Sequence, residues 1–203
     1  MEGKNQWPVF KELSGNSYPT GVTDNFFGKT PALHWQWDFR NASPNVKQDN
    51  GKLLLSGTTN ADNKTGIALT LRPALPYYEM QVTVVNENNA VKGLTVYGDV
   101  KMAVGLGVTN NNIEYWYVKD GKREVLASSL IRQGPVQLKM AVSEDLQVSY
   151  KQGSNKWQTL TPNKEISFDA LSPWDRSSRM GLHFLGNPEE QAVFKEFKLI
   201  YQQ

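Results

Sequence analysis

The chain has 203 residues, no cysteine, and 22 Lys and Arg against 20 Asp and Glu, for a net charge of +2. That length fits one domain with a full core of its own, and the missing cysteine excludes disulfides and thiolate metal sites. Both charge signs are interspersed without a basic run, which argues against nucleic acid or an anionic membrane as partner, and no apolar stretch approaches the roughly 20 residues of a membrane span.

From the start, Met1-Glu2-Gly3-Lys4-Asn5-Gln6-Trp7-Pro8 lacks the apolar h-region of a signal peptide. Ser14 to Gly21 is rich in small and turn-forming residues and reads as a linker. Residues 1–21 are therefore expected to be a linker with the remnant of a preceding domain, and 22–203 a single folded unit. From about residue 33 onward a period of two dominates, the mark of half-buried strands. In Leu33 to Arg40 it places Trp35, Trp37 and Phe39 on one face and His34, Gln36, Asp38 and Arg40 on the other. Tyr78–Val84, Val136–Met140, Leu146–Tyr150 and Met180–Phe184 repeat the alternation. The closing run is expected to place Val193, Phe197, Leu199 and Tyr201 together. Turn chemistry at Asp49-Asn50-Gly51, Asp120-Gly121, Gln133-Gly134-Pro135, Gly153-Ser154 and Gly186-Asn187-Pro188 separates the runs. No long amphipathic helix and no internal repeat is visible. The fold class is all-β, a two-sheet antiparallel sandwich.

Few residues suggest chemistry. With two histidines, His34 and His183, and no Gly-x-Ser-x-Gly elbow, nucleophilic catalysis lacks its parts. Alternation sets His183 opposite Leu182 and Phe184, which predicts a surface or groove position. The acids near turns, Asp99, Asp120, Asp169 and Asp175, show no spacing that pairs any two of them. Asp24, Asn25 and Asp169 offer oxygen ligands of the type calcium takes, so a structural calcium is left open; no other cofactor is indicated.

Aromatic residues are abundant: six Trp, eight Tyr and eight Phe. Rings stack on the C–H faces of sugars while planar polar groups take the hydroxyls. In Leu33 to Arg40, either the aromatics are core and the polar stripe is ordinary surface, or His34, Gln36, Asp38 and Arg40 form the wall of a sugar site. Both Trp35 and Trp37 are expected to be mostly buried. Pro173-Trp174-Asp175-Arg176 is either a locked corner or a binding platform that uses Trp174 and Arg176. Ile113 to Tyr117 carries aromatics on both faces, which makes Trp116 a further candidate. His183 completes the carbohydrate-binding candidates.

These segments resemble a known family. Asp24-Asn25-Phe26-Phe27 followed by Leu33-His34-Trp35-Gln36-Trp37 resembles the opening of the C-terminal concanavalin A-like domain of family 43 glycoside hydrolases. Gly51 to Gly57 is similar to its second strand, and Gly93-Leu94-Thr95-Val96-Tyr97-Gly98-Asp99 to its Gly-Leu-x-x-Tyr-Gly-Asp segment. Trp174-Asp175-Arg176 and Phe194 to Phe197 are similar to its closing segments, so the resemblance covers residues 22–203. Trp7-Pro8-Val9 is similar to the end of the family's catalytic domain.

The resemblance implies a jelly-roll sandwich without catalytic residues of its own, an accessory or carbohydrate-binding domain of a polysaccharide hydrolase. It also implies a five-bladed propeller as catalytic partner, xylan, arabinan or galactan as the polymer class, and a periplasmic or secreted parent enzyme. In the family's xylosidase branch a loop of this domain offers an aromatic to the catalytic funnel. The matching loop is read as Gly57 to Gly66, which contains no aromatic residue. An independent binding module and a stand-alone sandwich glycosidase are the alternatives.

Overall fold

The computed structural model describes residues 20–166, 171 and 177–202. All of its regular elements are strands, in two antiparallel sheets. The larger sheet runs β12 (Gln158–Thr159), β11 (Leu146–Lys151), β10 (Gly134–Val142), β5 (Tyr78–Asn86), β14 (Ala192–Tyr201), β3 (Lys52–Thr59) and β2 (Ala42–Asp49), with β1 (Gly21–Asp24) also paired to β14. The smaller runs β4 (Ile67–Leu71), β13 (Arg179–Leu185), β6 (Val91–Asp99), β7 (Met102–Thr109), β8 (Asn112–Lys119) and β9 (Lys122–Leu130). This is the expected sandwich.

Local chemistry explains the hairpins. Asn50 and Gly51 take φ of 47° and 77°, and Asp120 and Gly121 take 51° and 74°. Two consecutive left-handed residues match the twist of the strands they join. Pro44 lies in β2, an edge strand, where its missing N–H costs the ladder least. Between the sheets, Leu53, Leu55, Met80 and Val84 of one face meet Leu94, Val96, Val104 and Leu106 of the other, all fully enclosed.

The final strand departs from simple alternation. Its ladder with β5 shifts register between Lys195 and Lys198, where Glu196 adopts φ of 51°. The extra residue reverses the parity of the strand. Ala192 and Phe194 therefore face inward ahead of the bulge, and Phe197, Leu199 and Tyr201 after it, while Val193 is only partly buried.

A second departure decides the site. Residues 33–40 form no strand. A turn bonds Trp35 N to Ala32 O at 3.1 Å, another bonds Asn41 N to Asp38 O at 3.2 Å, and between them only Gln36 pairs, with Thr70 of β4. The segment thus joins β1 to β2 while pairing with the edge strand of the smaller sheet. Trp35, 5% exposed, fills the space between, with its ring 5.0 Å from Phe197 and 6.5 Å from Phe26. Trp37 is 43% exposed and Phe39 77%, so Trp37 is not the core residue that alternation predicts. Two turns within eight residues break the period on which that expectation rested.

Candidate functional site

The polar stripe of residues 34–40 is split by those turns. His34 lies back toward β1, its Nε2 3.9 Å from Asp24 Oδ2 and its ring 5.2 Å from Trp35. Gln36 is exposed and occupied by its backbone bridge to Thr70. Only Asp38 and Arg40 reach a common cavity.

That cavity is a cleft of about 880 Å³. The 37–41 turn, Arg72 after β4, the β6–β7 hairpin at Gly98 to Lys101, and residues 177–179 leading into β13 form its walls. Asp38 anchors it. Its Oδ2 accepts hydrogen bonds from Asn41 Nδ2 and the Tyr97 hydroxyl, both at 2.9 Å, and its Oδ1 accepts from Arg40 N at 3.2 Å. Partial burial acts to raise the Asp38 pKa. The bonds from Asn41, Tyr97 and Arg40 N, together with the Arg179 charge, outweigh it and hold the carboxyl below its ordinary value. Tyr97 shifts the opposite way: burial first, then the neighbouring Asp38 charge, push its phenol far above the usual range. The Asp38–Tyr97 pair is therefore a fixed carboxylate and a fixed phenol at any ordinary pH. Asp99, the other acid of the cleft among the described residues, accepts from Lys101 N at 2.7 Å through Oδ1.

Tyr97, Arg72, Lys101 and Arg179 escaped the sequence reading as site residues. Tyr97 lies within the Gly-Leu-x-x-Tyr-Gly-Asp match, yet nothing in the string joins it to Asp38. The three cations lie 29 or more positions apart in the chain and meet only through sheet topology.

Trp116 and His183 do come together, on the outer face of the smaller sheet, but neither is open to solvent. Both are 0% exposed, which corrects the surface or groove position expected of His183. Trp116 lies flat over β7, where a Cβ on Gly105 would come within 2.3 Å of Cζ2. Only glycine leaves room for the ring there. His183 stacks against Trp116 at 4.5 Å between ring centroids, and the Arg123 guanidinium covers the same ring at 5.1 Å while bonding Glu114 at 3.0 Å. Ala68, Tyr97, Ala103 and Val118 complete this second apolar cluster.

The loop between β3 and β4 closes over it. Thr65 O accepts from His183 Nε2 at 2.5 Å, which fixes the neutral ring as the Nε2–H tautomer, and Thr65 Oγ1 donates to Val100 O. Burial pushes the His183 pKa down to about 3, opposed by the Thr65 bond and assisted by the Arg123 charge. Buried Asn63 ties the loop down, with Nδ2 donating to Asn41 O and Gly66 O and Oδ1 accepting from Thr65 N and Gly66 N.

As for a metal, Asp24 spends one oxygen on Phe26 N and the other on Trp35 Nε1, each at 2.9 Å. Among the described residues no three acidic or histidine side chains gather where an ion could be held. Asp169, Trp174 and Arg176 lie outside the described residues, as does the corner to which the last two belong.

A family model described as the beta xylosidase C-terminal concanavalin A-like domain matches residues 23–187. The chain belongs to that family. The domain is of the non-catalytic accessory type found at the C-terminus of family 43 glycoside hydrolases (GH43). Solved structures with the same fold include xylan beta-1,4-xylosidase from Bacillus halodurans C-125, at TM-score 0.73 and 20% identity over 95% of this chain. The GH43 protein BlXynB from Bacillus licheniformis follows at 0.71 and 16% over 89%, and a bifunctional GH43-CE protein from Bacteroides eggerthii at 0.65 and 16% over 89%. This domain spans 41%, 39% and 27% of those chains respectively, less than half of each. Comparison with curated proteins gave no match.

Proposed function

We propose that the domain serves a polysaccharide-degrading hydrolase as a non-catalytic partner, beside a five-bladed propeller that does the chemistry, on a polymer of the xylan, arabinan or galactan class. One observation carries the reading. The main cleft of the sandwich has exposed rings and polar groups suited to a sugar, but among the described residues no acid poised to work as a general acid or base. A glycosidase needs two carboxyls, one of them with a raised pKa so that it can protonate the leaving group. Asp38 is shifted the wrong way and holds three donors. The exposed Phe27 and Leu33, on the same β1–β2 connection, are apolar surface of the kind that a neighbouring domain covers.

The test is enzymatic. Purified chain should leave aryl xylosides, arabinofuranosides and galactosides intact. Turnover that persists through rigorous purification and disappears in Asp38→Asn or Asp99→Asn would overturn the reading. Family membership and the similar xylosidase structures support the polymer class.

A further inference from the structure

We propose that the cleft around Tyr97 is a binding site for acidic sugar, specifically an oligosaccharide that carries a uronate carboxylate. This deepens the reading of the domain as a carbohydrate-handling partner and rests on it for the sugar; the charge argument stands on its own.

Among the described residues four cations line the cleft, Arg40, Arg72, Lys101 and Arg179, against two carboxylates. The carboxylates are committed. Asp38 takes three hydrogen bonds from its own walls, and Asp99 takes Lys101 N. Among the described residues no salt bridge engages any of the four, although the Arg179 charge also acts on Asp38. Like charges gathered in a concavity repel one another and focus a positive potential there, which an anionic ligand relieves. The excess is local: the whole chain carries only +2.

Aromatic rings restrain two of the guanidinium groups. Arg179 Cζ lies 5.7 Å from the Tyr97 ring centroid, and Arg40 Cζ lies 5.8 Å from that of Phe39. A restrained guanidinium is a fork that fits a carboxylate through two parallel N–H bonds. Inorganic anions would satisfy the charge equally, but the cleft also bears Trp37 and Phe39, both exposed. Ring faces contribute nothing to a phosphate and much to the C–H face of a pyranose. Cations and exposed rings together select a carboxylated sugar.

Calorimetric titration of the full chain at low salt tests this with three probes: a xylo-oligosaccharide bearing one glucuronate branch, the same backbone unbranched, and inorganic phosphate. The branched probe should bind about tenfold tighter than the other two, the order of one charge-assisted carboxylate contact. Added salt should erode that margin. Arg72→Gln, at an exposed position, should remove the preference for the branched over the unbranched probe without changing the melting temperature. Trp37→Ala should weaken both sugars and leave phosphate alone. Equal affinity for the branched and unbranched probes would overturn the acidic-sugar assignment while leaving the accessory role intact. Phosphate binding as tight as the branched probe would make this a general anion site and overturn it too. So would no binding by any probe. None of these results bears on the hydrolysis assay, so the two readings fail separately.

Discussion

Trp35 and Trp37 sit two positions apart, yet only Trp35 has its ring enclosed, against Phe26 and Phe197, with Nε1 bonded to Asp24. Removing that ring leaves a cavity between the sheets and an unpaired carboxylate oxygen. Trp35→Ala should cost about 3–5 kcal/mol, the range for a large aromatic lost from a core. Trp37→Ala, with no comparable enclosure, should stay within about 0.5 kcal/mol of wild type. Urea unfolding of the two variants checks the contrast, and equal losses would show that Trp37 is packed after all. The identical residue types explain why the string could not separate the pair: both are large and apolar, and only the turns on either side decide which ring enters the core. The same limit applies to Asp38. Its position in the polar stripe marked it as a candidate, but its lowered pKa comes from Asn41, Tyr97, Arg40 N and Arg179, two of them, Tyr97 and Arg179, distant in sequence.

At the level of elements, the hairpins were the most legible feature. Asn50-Gly51 and Asp120-Gly121 announce their turn geometry in the residues themselves, and β5, β10 and β11 follow their alternation closely. What alternation cannot reveal is whether the second face of a strand is covered. In β13 it is, by the β3–β4 loop, and the buried His183 ring, with only Nε2 partnered, is held there in its neutral form. The sign follows from the shift. The ordinary histidine value is 6.5 and burial lowers it to about 3, so the unfolded chain binds the proton first as pH falls. The stabilisation that this position provides is full above pH 6.5 and is lost progressively toward pH 3, at about 1.4 kcal/mol per pH unit where the shift is fully expressed. His183→Gln should therefore show a flatter loss of melting temperature between pH 7 and pH 4 than wild type, even if it starts lower. Parallel curves would mean that the loop opens readily and that the ring titrates normally. The Asp38 contribution, lost only as pH falls through and below the usual carboxylate range, lies at the acid end and does not mimic this window.

For the whole molecule, length, the period-two alternation and the recurrence of turns specified a two-sheet sandwich, and the chain delivers one. Its cleft was half legible, because Asp38 and Arg40 come from a recognisable segment while Arg72, Lys101 and Arg179 arrive from three other places. Such a site exists only after the sheets have paired, and the pairing is largely non-local: β14 lies between β5 and β3, and β13 between β4 and β6. The last strands to be made thus occupy central places in both sheets. Neither sheet is complete without them, and the side chains of both inner faces belong to one continuous core. The described sandwich should accordingly unfold as one unit. Three tryptophans report on separate regions: Trp35 at the β1–β2 connection, Trp116 on the outer face of the smaller sheet, and Trp157 beside Lys139 and Lys151 on the larger. In urea, tryptophan fluorescence and far-ultraviolet circular dichroism should trace the same midpoint, and variants that each keep a single one of these reporters should agree once their own stability changes are subtracted. Refolding should be slow for the size, since strand partners distant in sequence must close long loops before any contact rewards them. Midpoints of the Trp35-only and Trp116-only variants that still differ after that subtraction would show that one sheet survives the loss of the other, and would sink the single-core account.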